Sequence, residues 1–219
     1  AIIGSLLTSY VVLLHRQPFN VDGIVYLQTA SVFLNNGFQA AMQVYNWPFY
    51  SVLIGVSSHI TGLSLQQAAL VIDAILNAIT ALAFIGLTKQ LGGSRQTQYW
   101  ALVVILLYPY FVHDKDNILR DFGYYAFLLV SLQFFIRYLQ SLTWRDALGW
   151  AASLLLAFLF RIEGGILLLL LPLTVFLKPQ LSWLTRLRSC LKLYSLHFIA
   201  ALVGISWLLV KLHQHDDLS

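Results

Sequence analysis

Hydrophobic residues run through this chain in long blocks, and the polar positions that separate them are short and charged. Seven apolar blocks, at 1–14, 67–90, 98–112, 120–139, 146–160, 164–177 and 194–212, each qualify or nearly qualify as a membrane-spanning helix. Between the first two lies a less uniform stretch, 15–66. Within it, Ile24, Val25, Leu27, Val32, Phe33 and Leu34 fall at helical spacing among Gln28, Thr29, Ser31 and Asn35. This pattern predicts a short helix lying in the interface and stopping at Asn36-Gly37. After Trp47-Pro48, the segment 49–62 reads either as a short span or as a second interfacial helix. Thr143, three residues before Asp146, predicts an N-cap. Gly92-Gly93-Ser94 predicts a chain break, and Pro172 a kink within its span. The expected fold is therefore all-α: a polytopic transmembrane bundle of about seven spans, with interfacial helices in a long first external loop.

Composition supports lipid as the solvent. Apolar residues make up 59% of the 219, and charged residues only 10%, against about 25% in a soluble domain. The net charge of +4 is scattered rather than patched, which argues against a nucleic-acid partner and for orientation by the positive-inside rule. If 49–62 does not cross, then Lys89, Arg95, Arg137, Arg145, Lys178, Arg186, Arg188 and Lys192 share one side, the cytoplasm. One cysteine, Cys190, leaves no partner for an internal disulfide. The chain reads as a single module over 1–219, a fragment of a longer protein, since it opens on an apolar run without Met.

The acidic residues fall on the opposite side. Asp22, Asp114, Asp116, Asp121, Glu163, Asp216 and Asp217 occupy the external gaps, whereas Asp146 is cytoplasmic and Asp73 lies inside a span. Carboxylates gathered at one membrane face point to a site. Asp22 either caps the interfacial helix or stands at its start as an ionised base. His113, Asp114, Lys115, Asp116, Asn117, Arg120 and Asp121 crowd the second external gap. They form either a solvated turn or a reactive one, and Asp114-x-Asp116 could hold a divalent cation such as Mg or Mn. Arg161 and Glu163 interrupt an apolar stretch whose flanks of about 14 residues reach roughly 21 Å. That turn then sits below the outer surface, where the pair either locks it or faces a cavity. Asp73 and Asn77 share a helix face and suit an interhelical hydrogen bond. His59, His113 and His197 read as structural, and His213-x-His215-Asp216 as a weak metal motif at a ragged end.

No H-E-x-x-H, G-x-S-x-G or P-loop is present. Carboxylates beside Arg and Lys suit displacement of a phosphate leaving group: a base removes the nucleophile's proton while cations take up charge on the phosphate.

With its early acid in VDGIVYLQTA, then NWPFYSVLIGVSSHITGLS, a span ending in YPY, a charged turn with RDFGYY and the FRIEGG break, the chain resembles the membrane module of GT-C glycosyltransferases. The likeness is to the glycosyltransferase 39/RgtA-B-C-D-like and aminoarabinose-transferase group and covers most of 15–177. It has W-P-F-Y where such proteins often carry a P-P-L-Y type entry. The resemblance implies inverting transfer of a sugar from a polyprenyl-phosphate donor to a lipid, glycan or protein acceptor on the periplasmic face of a bacterial inner membrane. It makes Asp22 the base, Asp114 and Asp116 assisting or metal-binding residues, and Arg120 and Arg161, with Lys115 and Glu163, the donor-phosphate site. A transporter using Asp73, Arg161 and Glu163, or a noncatalytic GT-C-like subunit, are the competing readings.

Overall fold

The computed structural model describes residues 1–14, 20–195 and 197, with the side chains of residues 12–14, 110, 111 and 116 left aside. Every regular element among them is helical. In chain order these are α1 (Ile2–Leu14), α2 (Val21–Val44), α3 (Phe49–Thr61), α4 (Leu65–Gln90), α5 (Arg95–Leu107) and α6 (Pro109–His113), then a 3₁₀ turn (Asp114–Asp116). There follow α7 (Asp121–Ser141), α8 (Trp144–Phe160), α9 (Gly164–Leu170), a 3₁₀ stretch (Leu171–Leu177) and a helix over 183–195. Among the described residues, α4 and α7 are long and apolar enough to cross a membrane. The expected block at 194–212 falls almost wholly outside the described residues.

Local chemistry explains most boundaries. Ser64 and Gln67 form a reciprocal capping box that starts α4. Ser94 accepts from the Thr97 amide at the start of α5, and Thr143 accepts from the Asp146 amide at the start of α8, as its position predicts. Gly62, at φ 72°, closes α3.

The helix expected to stop at Asn36-Gly37 does break there: Gly37 takes φ 84° and ψ −179°, and a second helical segment runs on from it to Val44. Two other elements differ from expectation. The apolar block 98–112 is not one helix. Pro109 lacks an amide hydrogen and holds Tyr108 out of the helical region (ψ 115°), so α5 ends at Leu107 and α6 starts anew. The block 164–177 is α-helical only to Leu170 and tightens to 3₁₀ around Pro172.

Two buried clusters lie along α7. The first joins Tyr26, Tyr50, Ile54, Ala69, Ile72 and Phe160 to Ile118 and Phe122, and so gathers α2, α3, α4, α7 and the end of α8. The second joins Phe135 and Tyr138 to Trp150, Leu154, Val175 and Leu193. Alanines recur at the contacts, including Ala30, Ala68, Ala69, Ala126, Ala147 and Ala157. Small residues let helix backbones approach closely, which is how helices gain dispersion energy where there is no water to expel. Asp73, the one buried acid among the described residues, accepts from the Tyr50 hydroxyl at 2.6 Å and ties α3 to α4, as an interhelical role requires. The first cluster lies next to the acidic residues and the second next to the basic ones, so α7 has an acidic end and a basic end.

Candidate functional site

Two links draw the acidic gaps together. The first is Asn20, immediately before α2. Its side-chain oxygen accepts from the Ile118 amide (3.2 Å) and its side-chain nitrogen donates to the Ile118 carbonyl (3.3 Å). Asn20 therefore spends its amide on a segment 98 residues away rather than on capping α2. The second link is Arg161, the residue at which the chain leaves α8 in extended conformation. Its guanidinium pairs with Asp121 at the start of α7 and with Glu163 two residues on, the Nε–Oε2 contact being 3.3 Å.

These links bring Asp22, Arg120, Asp121, Arg161 and Glu163 to one end of the bundle. Asp22 sits in the first turn of α2, exposed. It is not the N-cap, which is Asn20, so the capping reading of Asp22 is corrected. The Tyr26 hydroxyl, one turn along α2, reports the convergence. Burial raises it above the usual phenol range, Arg120 opposes that, and Tyr45, Asp22 and Asp121 add to it. The Arg120 guanidinium lies over the Tyr45 ring at 5.5 Å. It forms no salt bridge among the described residues, in contrast to Arg161.

The electrostatics follow from the pairings. Hydrogen bonds from Arg161, then a backbone hydrogen bond, with added fields from Arg161 and Arg120, hold the Glu163 carboxyl down to about 2. The Arg161 guanidinium is in turn pushed further above its usual range, chiefly by Glu163 and also by Asp121. The locking role expected for the Arg–Glu pair is present, and Asp121 extends it to a second helix.

Aromatic rings form the floor. Tyr26 meets Tyr45 and Tyr50 edge-on at 5.6 and 5.3 Å, and Phe160 meets Phe49 edge-on and stacks on Phe127. Phe160 also lies against Gly123, where an added Cβ would come within 2.3 Å of the ring. Gly123 thus admits Phe160, and Phe160 carries Arg161 to Asp121.

Other predicted residues fall elsewhere. Lys115 is buried, and its ammonium donates to Thr8 of α1 at 2.6 Å; burial lowers it to about 8. This bond ties the 3₁₀ turn to α1. Asp114 lines a cavity of about 370 Å³ with Thr80, Tyr108 and Tyr125. Tyr125 lies within electrostatic range of Asp114, Asp121 and Arg161, so this cavity adjoins the cluster. The Asp116 side chain lies outside the described set. Among the described residues, no three His, Cys, Asp or Glu side chains gather as metal ligands; a cation at Asp114 and Asp116 stays an expectation of the sequence.

Sequence reasoning missed Asn20, Gly123, Phe160 and the tyrosines. Asn directly before a helix start was a usable local signal, read only as loop. The others act through packing between distant segments. Comparison of the chain with protein-family models, with curated proteins and with solved structures finds no match.

Proposed function

We propose that this chain is the membrane module of a glycosyltransferase that moves a sugar from a polyprenyl-phosphate donor to a hydroxyl or amine acceptor at its acidic end. The observation that carries the reading is the convergence of Asp22, Arg120, Asp121, Arg161 and Glu163 through the Asn20–Ile118 and Arg161–Asp121 links. In this reading the bundle has about seven spans, the acidic end faces the periplasm of a bacterial inner membrane, and 49–62 stays on that side.

The chemistry needs few parts. Asp22 takes the proton from the acceptor as its oxygen or nitrogen attacks the anomeric carbon. The bond from that carbon to the phosphate oxygen breaks on the opposite face, and its electron pair leaves with the polyprenyl phosphate. A phosphate leaves readily, so no general acid is needed. Arg120 takes up the developing negative charge. Arg161 is a second cation that is already engaged by two carboxylates, so Arg120 is the stronger choice for the first phosphate contact. Asp114 lines the adjoining cavity, where it can hold the acceptor.

The test is a transfer assay on reconstituted protein with a panel of polyprenyl-phosphate sugars. Asp22→Asn is expected to lower turnover by about 10²–10⁴-fold, the usual worth of a positioned base, with membrane insertion retained. Arg120→Ala is expected to weaken donor use. Undiminished turnover in Asp22→Asn would remove Asp22 as the base.

A further inference from the structure

At the basic end, α4 and α5 diverge to leave a groove of about 510 Å³. Its α5 wall is one helix face, Arg95, Gln98, Tyr99 and Leu102, at spacings of three, four and seven residues. Its α4 wall is Leu82, Ile85 and Gly86, and Ala1, just before α1, lines it as well. The polar groups are thus gathered at the rim, and the apolar ones lie deeper along both helices. Tyr99 and the adjacent Trp100 are 69% and 62% exposed, the placement that aromatic rings take at a lipid–water boundary.

Several cations at this end are already engaged. Lys178 and Lys192 donate to the carbonyls of Leu139 and Leu142, Arg186 donates to those of Leu181, Phe176 and Pro179, and Arg137 pairs with Asp146. The first three satisfy backbone carbonyls and the fourth an acid. Arg95, like Lys89, Arg145 and Arg188, is exposed and has no salt bridge among the described residues, and of these it is Arg95 that lines the groove. Gln98 donates to the Gly93 carbonyl (3.0 Å), which fixes the amide beside it. Lys89, in the last turn of α4, adds a second positive charge nearby.

We infer that this groove binds an anionic phospholipid of the leaflet at the basic end, with its phosphate on Arg95 and its acyl chains over Leu82, Ile85 and Leu102. The charge selects the headgroup, and the apolar depth selects a lipid over a soluble phosphate. This site depends on the membrane placement of the chain and is independent of sugar transfer.

The experiment extracts the full chain from nanodiscs containing phosphatidylcholine and phosphatidylglycerol in equal parts and measures retained lipid by native mass spectrometry. Wild type is expected to retain phosphatidylglycerol in preference, by about fivefold for one interfacial cation. Arg95→Gln is expected to abolish that preference, and Leu102→Trp to reduce retention of both lipids. Arg188→Gln, an exposed cation outside the groove, is expected to change neither. Equal retention of the two lipids by wild type, or an equal effect of the Arg95 and Arg188 variants, would overturn the site. Inorganic phosphate competing as well as the lipid would overturn the acyl-chain contact. Failure of wild type to enter nanodiscs would overturn the membrane placement and this site together, whereas absence of sugar transfer leaves it standing.

Discussion

Gly123 shows how one missing methyl sets charge geometry. A Cβ there would stand 2.3 Å from the Phe160 ring, so Gly123→Ala must displace the ring and, through it, Arg161. Overpacking of this kind costs about 1–3 kcal/mol, and here the lost Arg161–Asp121 pairing adds to it. The expected outcome is a lower unfolding temperature together with lost activity, read by thermal unfolding and the transfer assay. Glu163 gives a second residue-scale test. Its folded carboxyl is held down to about 2 by Arg161, below the ordinary value near 4.3. A depressed folded value contributes stability that is complete above the ordinary value and fades as pH falls towards the folded one. Glu163→Gln should therefore be less stable than wild type at pH 6, and the difference should shrink between about pH 4.3 and about 2. Unfolding curves of both proteins across that range decide it.

At the scale of elements, buried polar contacts hold α3 and α4 in register. The Tyr50 hydroxyl donates to buried Asp73, and Tyr50→Phe keeps the ring contacts with Tyr26 while removing that donor. A loss of about 1–3 kcal/mol is expected, measurable by denaturant unfolding in mixed micelles. The elements also show what could be read beforehand. The starts of α5 and α8 were legible because Ser94 and Thr143 act on amides only three residues away. The break at Tyr108 was equally legible, since Pro109 forces it, but a sliding count of apolar residues passes over one proline. The break at Asn36-Gly37 was legible too, because Gly37 takes the positive φ that ends a helical segment; the second segment, to Val44, was not. Beyond the break, Phe38 and Met42 are exposed and line a groove with Trp47 and Leu159. The candidate site was half legible. Its charged residues stand out in an apolar chain, but their pairing depends on Asn20 meeting Ile118 and on Phe160 meeting Gly123, contacts between distant segments. Lys115 illustrates the converse error: a lysine in a charged turn reads as a surface cation, yet α1 covers it.

At the scale of the molecule, Asp22, Asp121 and Glu163 lie at one end of a bundle centred on α7 and Lys89, Arg95, Lys178, Arg186 and Lys192 at the other, and that polarity predicts sidedness. In a Cys190→Ser background, cysteines replacing Ile162 (62% exposed) and Leu91 (69% exposed) report the two ends. A membrane-impermeant maleimide is expected to label the Ile162 position in intact cells and the Leu91 position only after permeabilisation. Labelling of both from one side would contradict the arrangement.

In the proposed transfer reaction, the guanidinium shared by Asp121 and Glu163 has a kinetic meaning as well as a structural one. A carboxylate tethered two residues from Arg161 behaves as a built-in competitive inhibitor at high effective concentration. An incoming phosphate can then reach Arg161 only by exchange with that carboxylate. In that reading, occupancy of Arg161 passes from an internal anion to an external one.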